Sequence, residues 1–133
     1  EKECLSILLR GKQPVIWCPA RRLTVKGLQK EYSEPLAEGR LLMLSPFGEK
    51  VCRATKETAQ FRNMFVAALA DRVFVPYAAQ GGKTEGFCKE VQKRNKPLFM
   101  FESPENPARH ISGARPYTGI SSILKEEYKR PYR

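Results

Sequence analysis

Short apolar runs alternate with amphipathic stretches along this chain, and that alternation limits the fold more than any other feature. Pro14, Val15, Ile16, Trp17 and Cys18 make the first run, and residues 41–45, 72–75 and 97–101 make three more, each followed within three residues by a proline. Runs this short suit buried strands rather than helices. The intervening segments have helical spacing. Residues 1–10 place Leu5, Leu8 and Leu9 on one face before Gly11, and residues 26–38 read as a helix interrupted near Pro35 and stopped by Gly39. Residues 57–70 set Phe61, Phe65, Ala68 and Leu69 at helical intervals, with a loop carrying Lys50, Arg53 and Lys56 before them. Residues 84–95 bury Phe87, Cys88 and Val91 and pair Glu85 with Lys89 and Glu90 with Arg94 outside.

Continuous apolar strands alternating with helices are what a parallel sheet covered on both faces requires. The expected class is therefore α/β, a Rossmann-like three-layer fold with a mostly parallel sheet. In such sheets ligands sit beyond the carboxyl ends of the strands, so the segments after Cys18, Ser45, Val75 and Phe101 are where function is sought. Residues 1–101 form the domain. Residues 102–133, rich in Pro, Arg and Ser, are an extension with a short helix near 120–128 that packs on it.

The 133 residues carry 24 Lys and Arg against 14 Asp and Glu, a net charge of +10. Residues 1–70 and 71–133 each hold 12 basic and 7 acidic side chains, so the excess belongs to the folded surface and not to a tail. An anionic partner such as nucleic acid, a nucleotide or a membrane surface fits this balance. A membrane-spanning role does not, because apolar stretches such as residues 65–70 fall far short of the roughly 20 residues a bilayer needs. Four cysteines, at 4, 18, 52 and 88, form no C-x-x-C pair, and reduced thiols in the cytoplasm are expected. His110 is the one histidine, which leaves little for a metal site or a Ser-His-Asp set, and neither metal, cofactor nor catalytic residue is assigned. The chain opens on Glu1, Lys2 and Glu3 and reads as a fragment.

Two groups of residues could meet an anion. Gln80, Gly81, Gly82, Lys83 and Thr84 lie between a strand and a helix. The glycines admit close backbone approach, the helix start points N–H groups outward, and Lys83 and Thr84 add charge and a hydroxyl or cap. The same residues also suit a plain tight turn. Arg62 and Asn63 interrupt the apolar pattern of residues 57–70 with a guanidinium fork and an amide, which suit phosphate as well as a solvated surface.

The stretch from Phe61 through Arg62, Asn63, Leu69, Ala70 and Asp71 into the strand at 72–75, then the glycine turn and Lys96, Pro97, Leu98, Phe99 and Met100, resembles the DNA-processing protein A family, DprA or Smf. The likeness covers residues 1–101 and is most specific over 61–101. It implies a Rossmann-like domain that binds single-stranded DNA without turnover, with dimer formation and a RecA-type recombinase as a partner. It makes Arg62 and Asn63 pocket residues and Gly81, Gly82, Lys83 and Thr84 the anion-binding turn. A parallel sheet would put the start of the 57–70 helix and the turn at Gly81 on one side, so Arg62 and Gly81 to Thr84 are expected to share one anion pocket. The pattern departs where Met64 replaces a basic residue and Gly-Gly-Lys-Thr replaces a serine-glycine-serine turn. The family's first glycine-rich strand-turn unit is expected upstream of Glu1.

More distantly the layout is similar to that of the LOG-type phosphoribohydrolases, once called lysine decarboxylase-like. Those carry Arg-Lys on the helix and Gly-Gly-x-Gly-Thr followed by a glutamate, whereas Glu85 here comes directly after Thr84. The expected function is a bacterial-type DNA-processing protein that binds single-stranded DNA. A nucleotide-sensing domain and a nucleoside monophosphate phosphoribohydrolase are the alternatives. Phe47 and Tyr77 are placed to stack bases, and Arg109, Arg115, Lys129, Arg130 and Arg133 form a phosphate-tracking strip or a solvated edge.

Overall fold

The computed structural model describes residues 2–103 and 111–119. The expected helix near 120–128, together with Arg109, His110, Lys129, Arg130 and Arg133, lies outside the described residues. The chain forms two compact units, Glu1–Phe65 and Val66–Arg133. Both are α/β with parallel strands, and the fold is Rossmann-like.

In the first unit α1 (Lys2–Arg10) buries Leu9 and half-buries Leu5, while Leu8, expected on the same face, is exposed. The strand β1 (Val15–Trp17) runs parallel to β2 (Leu41–Met43), with Val15 opposite Leu41 and Trp17 opposite Met43. The connecting α2 (Lys30–Ala37) begins four residues later than the sequence pattern suggests and continues through Pro35. A proline at that point removes one helical N–H, which ends the ladder to Glu31 without breaking so short a helix. Gly39, at φ +71°, then turns the chain, its N–H bonded to the Leu36 carbonyl at 3.1 Å. Leu9, Val15 and Leu41 form the core with Leu5, Trp17, Tyr32, Leu36 and Met43 around them, and Trp17 stacks on Tyr32 at 5.0 Å. The opposite faces of the strands leave Ile16 and Leu42 exposed, so this sheet is covered on one side within its unit.

The helix α3 (Lys56–Leu69) starts at a reciprocal threonine cap: Thr58 N–H donates to Thr55 Oγ1 at 3.2 Å, and Thr55 N–H donates to Thr58 Oγ1 at 2.8 Å. Its burial differs from the expected stripe. Phe61, Ala68 and Leu69 are exposed, whereas Arg62 and Ala67 are buried. Apolar side chains occur on several sides of this helix, so spacing alone does not choose the inward face.

In the second unit β3 (Val73–Val75), β4 (Leu98–Phe101) and β5 (Arg115–Tyr117) form a parallel sheet in that order. β5 falls within the segment read from sequence as an extension, and its Pro116 sits opposite Met100. The helix α4 (Lys83–Lys93) buries Cys88 and Val91 against Val75, Ala78, Leu98, Met100, Ala67 and Ile111. It ends in a left-handed Asn95 at φ +55°, with Asn95 N–H bonded to the Gln92 carbonyl at 2.8 Å and Lys96 N–H to the Val91 carbonyl at 3.3 Å. Glu85 pairs with Lys89 as expected, while Glu90 takes Lys93 rather than Arg94.

Candidate nucleic-acid interface

At the carboxyl ends of β1 and β2 the chain passes into two loops that are tied together. The Leu44 N–H continues the ladder to the Trp17 carbonyl at 3.0 Å. Beyond it, Ser45 Oγ donates to the Arg21 carbonyl at 2.7 Å and accepts the Phe47 N–H at 3.1 Å. Arg22 then closes the junction: its N–H donates to the Val51 carbonyl at 2.8 Å, and its Nη1 reaches the Glu49 carbonyl at 3.4 Å. Backbone held this way cannot collapse onto the strand ends, and its charged side chains are left on the surface.

Those side chains are mostly cations. Arg21, Arg22, Lys50, Arg53 and Lys56 are all exposed, with Glu49 and Glu57 as the acids of the same segments. Phe61 of α3 lies 5.7 Å from Phe47 between ring centroids and is 59% exposed, which presents a π face beside the charges. Lys50, Arg53 and Lys56 are legible in the sequence as a basic loop. Arg21 and Arg22 lack such a run, and the signal that marks them is an arginine pair just past a strand-ending proline, in a segment where ligands bind.

Arg62 supports this edge from beneath. Its Nη1 donates to the Cys18 carbonyl at 2.6 Å, and its Nε donates to Asn63 Oδ1 at 2.9 Å. Arg62 as a whole is 7% exposed. A charge so enclosed needs several partners, and Arg62 has them in the strand end and in its own neighbour. Burial raises the Cys18 thiol above its ordinary value, with Arg62 opposing that shift.

Arg62 and Asn63 belong to the first unit, and Gly81, Gly82, Lys83 and Thr84 belong to the second. In the turn, Gly81 adopts φ +70°, where a side chain is strained, and Gly82 is the N-cap residue of α4. A Cβ on Gly82 would lie 2.9 Å from the Ala79 carbonyl oxygen that its own N–H bonds, so glycine is required there for space. Thr84 sits inside the first turn of the helix and does not cap it. Glu85 reaches back to the Gly81 N–H at 2.7 Å and also pairs with Lys89, and these contacts hold its carboxyl below the usual carboxylate range. The turn thus already satisfies one N–H with an internal carboxylate, while Lys83 and Thr84 stay exposed at the helix start.

A solved structure of DNA processing protein A from Helicobacter pylori aligns with 83% of this chain at a TM-score of 0.63 and 20% sequence identity. The fold is DprA-like. That structure concerns how the Helicobacter protein binds single-stranded DNA, and the present chain spans 54% of its length. No protein-family model and no curated protein matches the sequence. Among the described residues, no helix is long and apolar enough to cross a membrane.

Proposed function

We propose that this chain binds single-stranded DNA without chemical turnover, with the phosphate backbone lying along the loops beyond β1 and β2. The observation that carries the reading is the set of exposed cations Arg21, Arg22, Lys50, Arg53 and Lys56 on two loops pinned by Ser45 and Arg22. Exposed cations on fixed backbone meet phosphates with little ordering cost, and this contact does not depend on base sequence. Arg62 acts here as a positioning residue through Cys18, with Asn63 orienting it. In the second unit the turn of Gly81, Gly82, Lys83 and Thr84 is a separate phosphate contact, made by the exposed Lys83 and Thr84 side chains because the Gly81 N–H is taken by Glu85. The DprA-like fold supports the choice of single-stranded DNA, and the family resemblance adds a RecA-type recombinase and a second copy of this chain as partners to test.

A nucleotide ligand and phosphoribohydrolase chemistry rank below this reading. The carboxylate nearest the turn, Glu85, is engaged by Gly81 and Lys89 and is not poised to exchange a proton near neutrality. The test is a fluorescence-anisotropy titration of a labelled oligothymidylate at low and at near-physiological salt. Saturable binding that weakens steeply with salt is expected. Binding of adenosine monophosphate with none of the oligonucleotide would replace this reading with nucleotide sensing.

A further inference from the structure

The second unit presents an aromatic sheet face that the loops beyond β1 and β2 do not account for. Side chains alternate along a strand, so Val75, Leu98, Met100 and Ala114 turn toward the core beneath α4 while Phe74, Phe99, Phe101, Arg115 and Tyr117 turn the other way. Register brings these together, with Phe74 opposite Phe99, Phe99 opposite Arg115 and Phe101 opposite Tyr117. Three rings form a closed cluster: Phe74 and Phe101 meet edge to face at 5.0 Å, Phe101 and Tyr117 edge to face at 5.6 Å, and Phe74 and Tyr117 in a tilted contact at 5.1 Å. Arg115 lies over the buried Phe99 ring at 6.0 Å and is itself exposed.

Burial divides this face. Phe99 is 2% exposed, but Phe74 is 39% and Phe101 48% exposed, far more than core aromatics of a three-stranded sheet show. None of the positions 74, 99, 101, 115 and 117 is acidic. The chain as a whole carries a net charge of +10, which favours an anionic occupant for this face. Rings beside an exposed arginine complement a chain that alternates flat π faces with phosphates. We infer that the β3, β4 and β5 face is a base-stacking platform for single-stranded nucleic acid, with Phe101 and Tyr117 under the bases and Arg115 toward the backbone. This rests on the single-strand reading above and adds a contact to the bases, where the loops beyond β1 and β2 contact phosphates.

The experiment compares an oligothymidylate with an abasic oligonucleotide of the same length, on the wild type and on the Phe101→Leu, Tyr117→Leu double variant. Leucine keeps the apolar bulk and removes the π face. The wild type is expected to prefer the base-bearing strand by ~10-fold or more, and the double variant to lose that preference while holding the abasic strand as before. Photo-crosslinking of the wild type with a 5-iodouracil strand, mapped by mass spectrometry, is expected to mark Phe101 or Tyr117, and this readout does not need the variant to fold. An unchanged preference in the variant, crosslinks confined to residues 21–22 and 50–56, or a wild-type dimer that the variant splits without any change in binding would each overturn the platform. The first two of these leave the single-strand reading standing. Failure of the wild type to bind either strand would remove that reading as well.

Discussion

Arg62 Nη1 holds the carbonyl of Cys18, 44 residues earlier in the chain, in a 2.6 Å hydrogen bond closed off from water. The bond fixes the carboxyl end of β1 to α3, and so fixes where Arg21 and Arg22 emerge. Arg62→Ala would strip a buried acceptor of a charged donor, a loss of roughly 1 to 3 kcal/mol. Urea unfolding of Arg62→Ala should show that loss, and its affinity for single-stranded DNA should fall about tenfold or more. An Arg62→Ala variant with wild-type stability and wild-type binding would remove both roles.

The strands around Ile16, Leu42, Phe74 and Phe99 are legible in the sequence because an apolar run closed by a proline has few other outcomes. The inward face of α3 is not legible, since Phe61, Phe65 and Leu69 fit helical spacing yet Phe61 and Leu69 are exposed, while the buried residues are Arg62 and Ala67. What decides it is the hydrogen bond to Cys18, a contact that no local pattern encodes. β5 is hidden for a related reason. Arg115, Pro116 and Tyr117 carry no apolar run, and their strand conformation comes from pairing with β4. The turn at Gly81 and Gly82 is legible as a turn, but the return of Glu85 to the Gly81 N–H is visible only once α4 is in place.

The cations beyond β1 and β2 predict a graded salt response. Each phosphate contact on a single strand contributes about 0.7 to the slope of log affinity against log salt. Arg22→Ala and Lys50→Ala should each lower the slope by about that amount, and together by about twice it. Lys30→Ala, in the exposed Lys30 and Glu34 pair of α2, should leave the slope unchanged. Equal effects from all three substitutions would mean that binding follows net charge rather than this edge.

The thiols should separate by burial. Cys4 and Cys52 are exposed, Cys18 and Cys88 are buried, and burial pushes the Cys88 thiol up to about 11. Iodoacetamide at neutral pH should alkylate Cys4 and Cys52 first, with Cys18 and Cys88 labelled only when denaturant is added. Because the folded thiol of Cys88 titrates above its ordinary 9.0, its contribution to stability is complete below 9.0 and is lost as the pH rises toward 11. A Cys88→Ala variant should therefore show a shallower alkaline decline in melting temperature, measured as a slope rather than as an absolute value.

Glu85 gives the opposite pH sign. Its pairing with Lys89 and its bond from the Gly81 N–H depress its carboxyl, so the folded state favours the ionised form. The stability it supplies is present above the usual carboxylate range and is lost as the pH falls through its lower folded value. Glu85→Gln keeps a side-chain acceptor for Gly81 but loses the charge that meets Lys89, and its acid unfolding limb should be less steep than that of the wild type. The same substitution tests chemistry at the turn. Incubation with adenosine monophosphate should release no adenine from either protein, because a carboxylate committed to a backbone N–H and an ammonium is a poor proton acceptor for a sugar. Adenine release by the wild type that vanishes in Glu85→Gln would assign this turn to catalysis instead of binding.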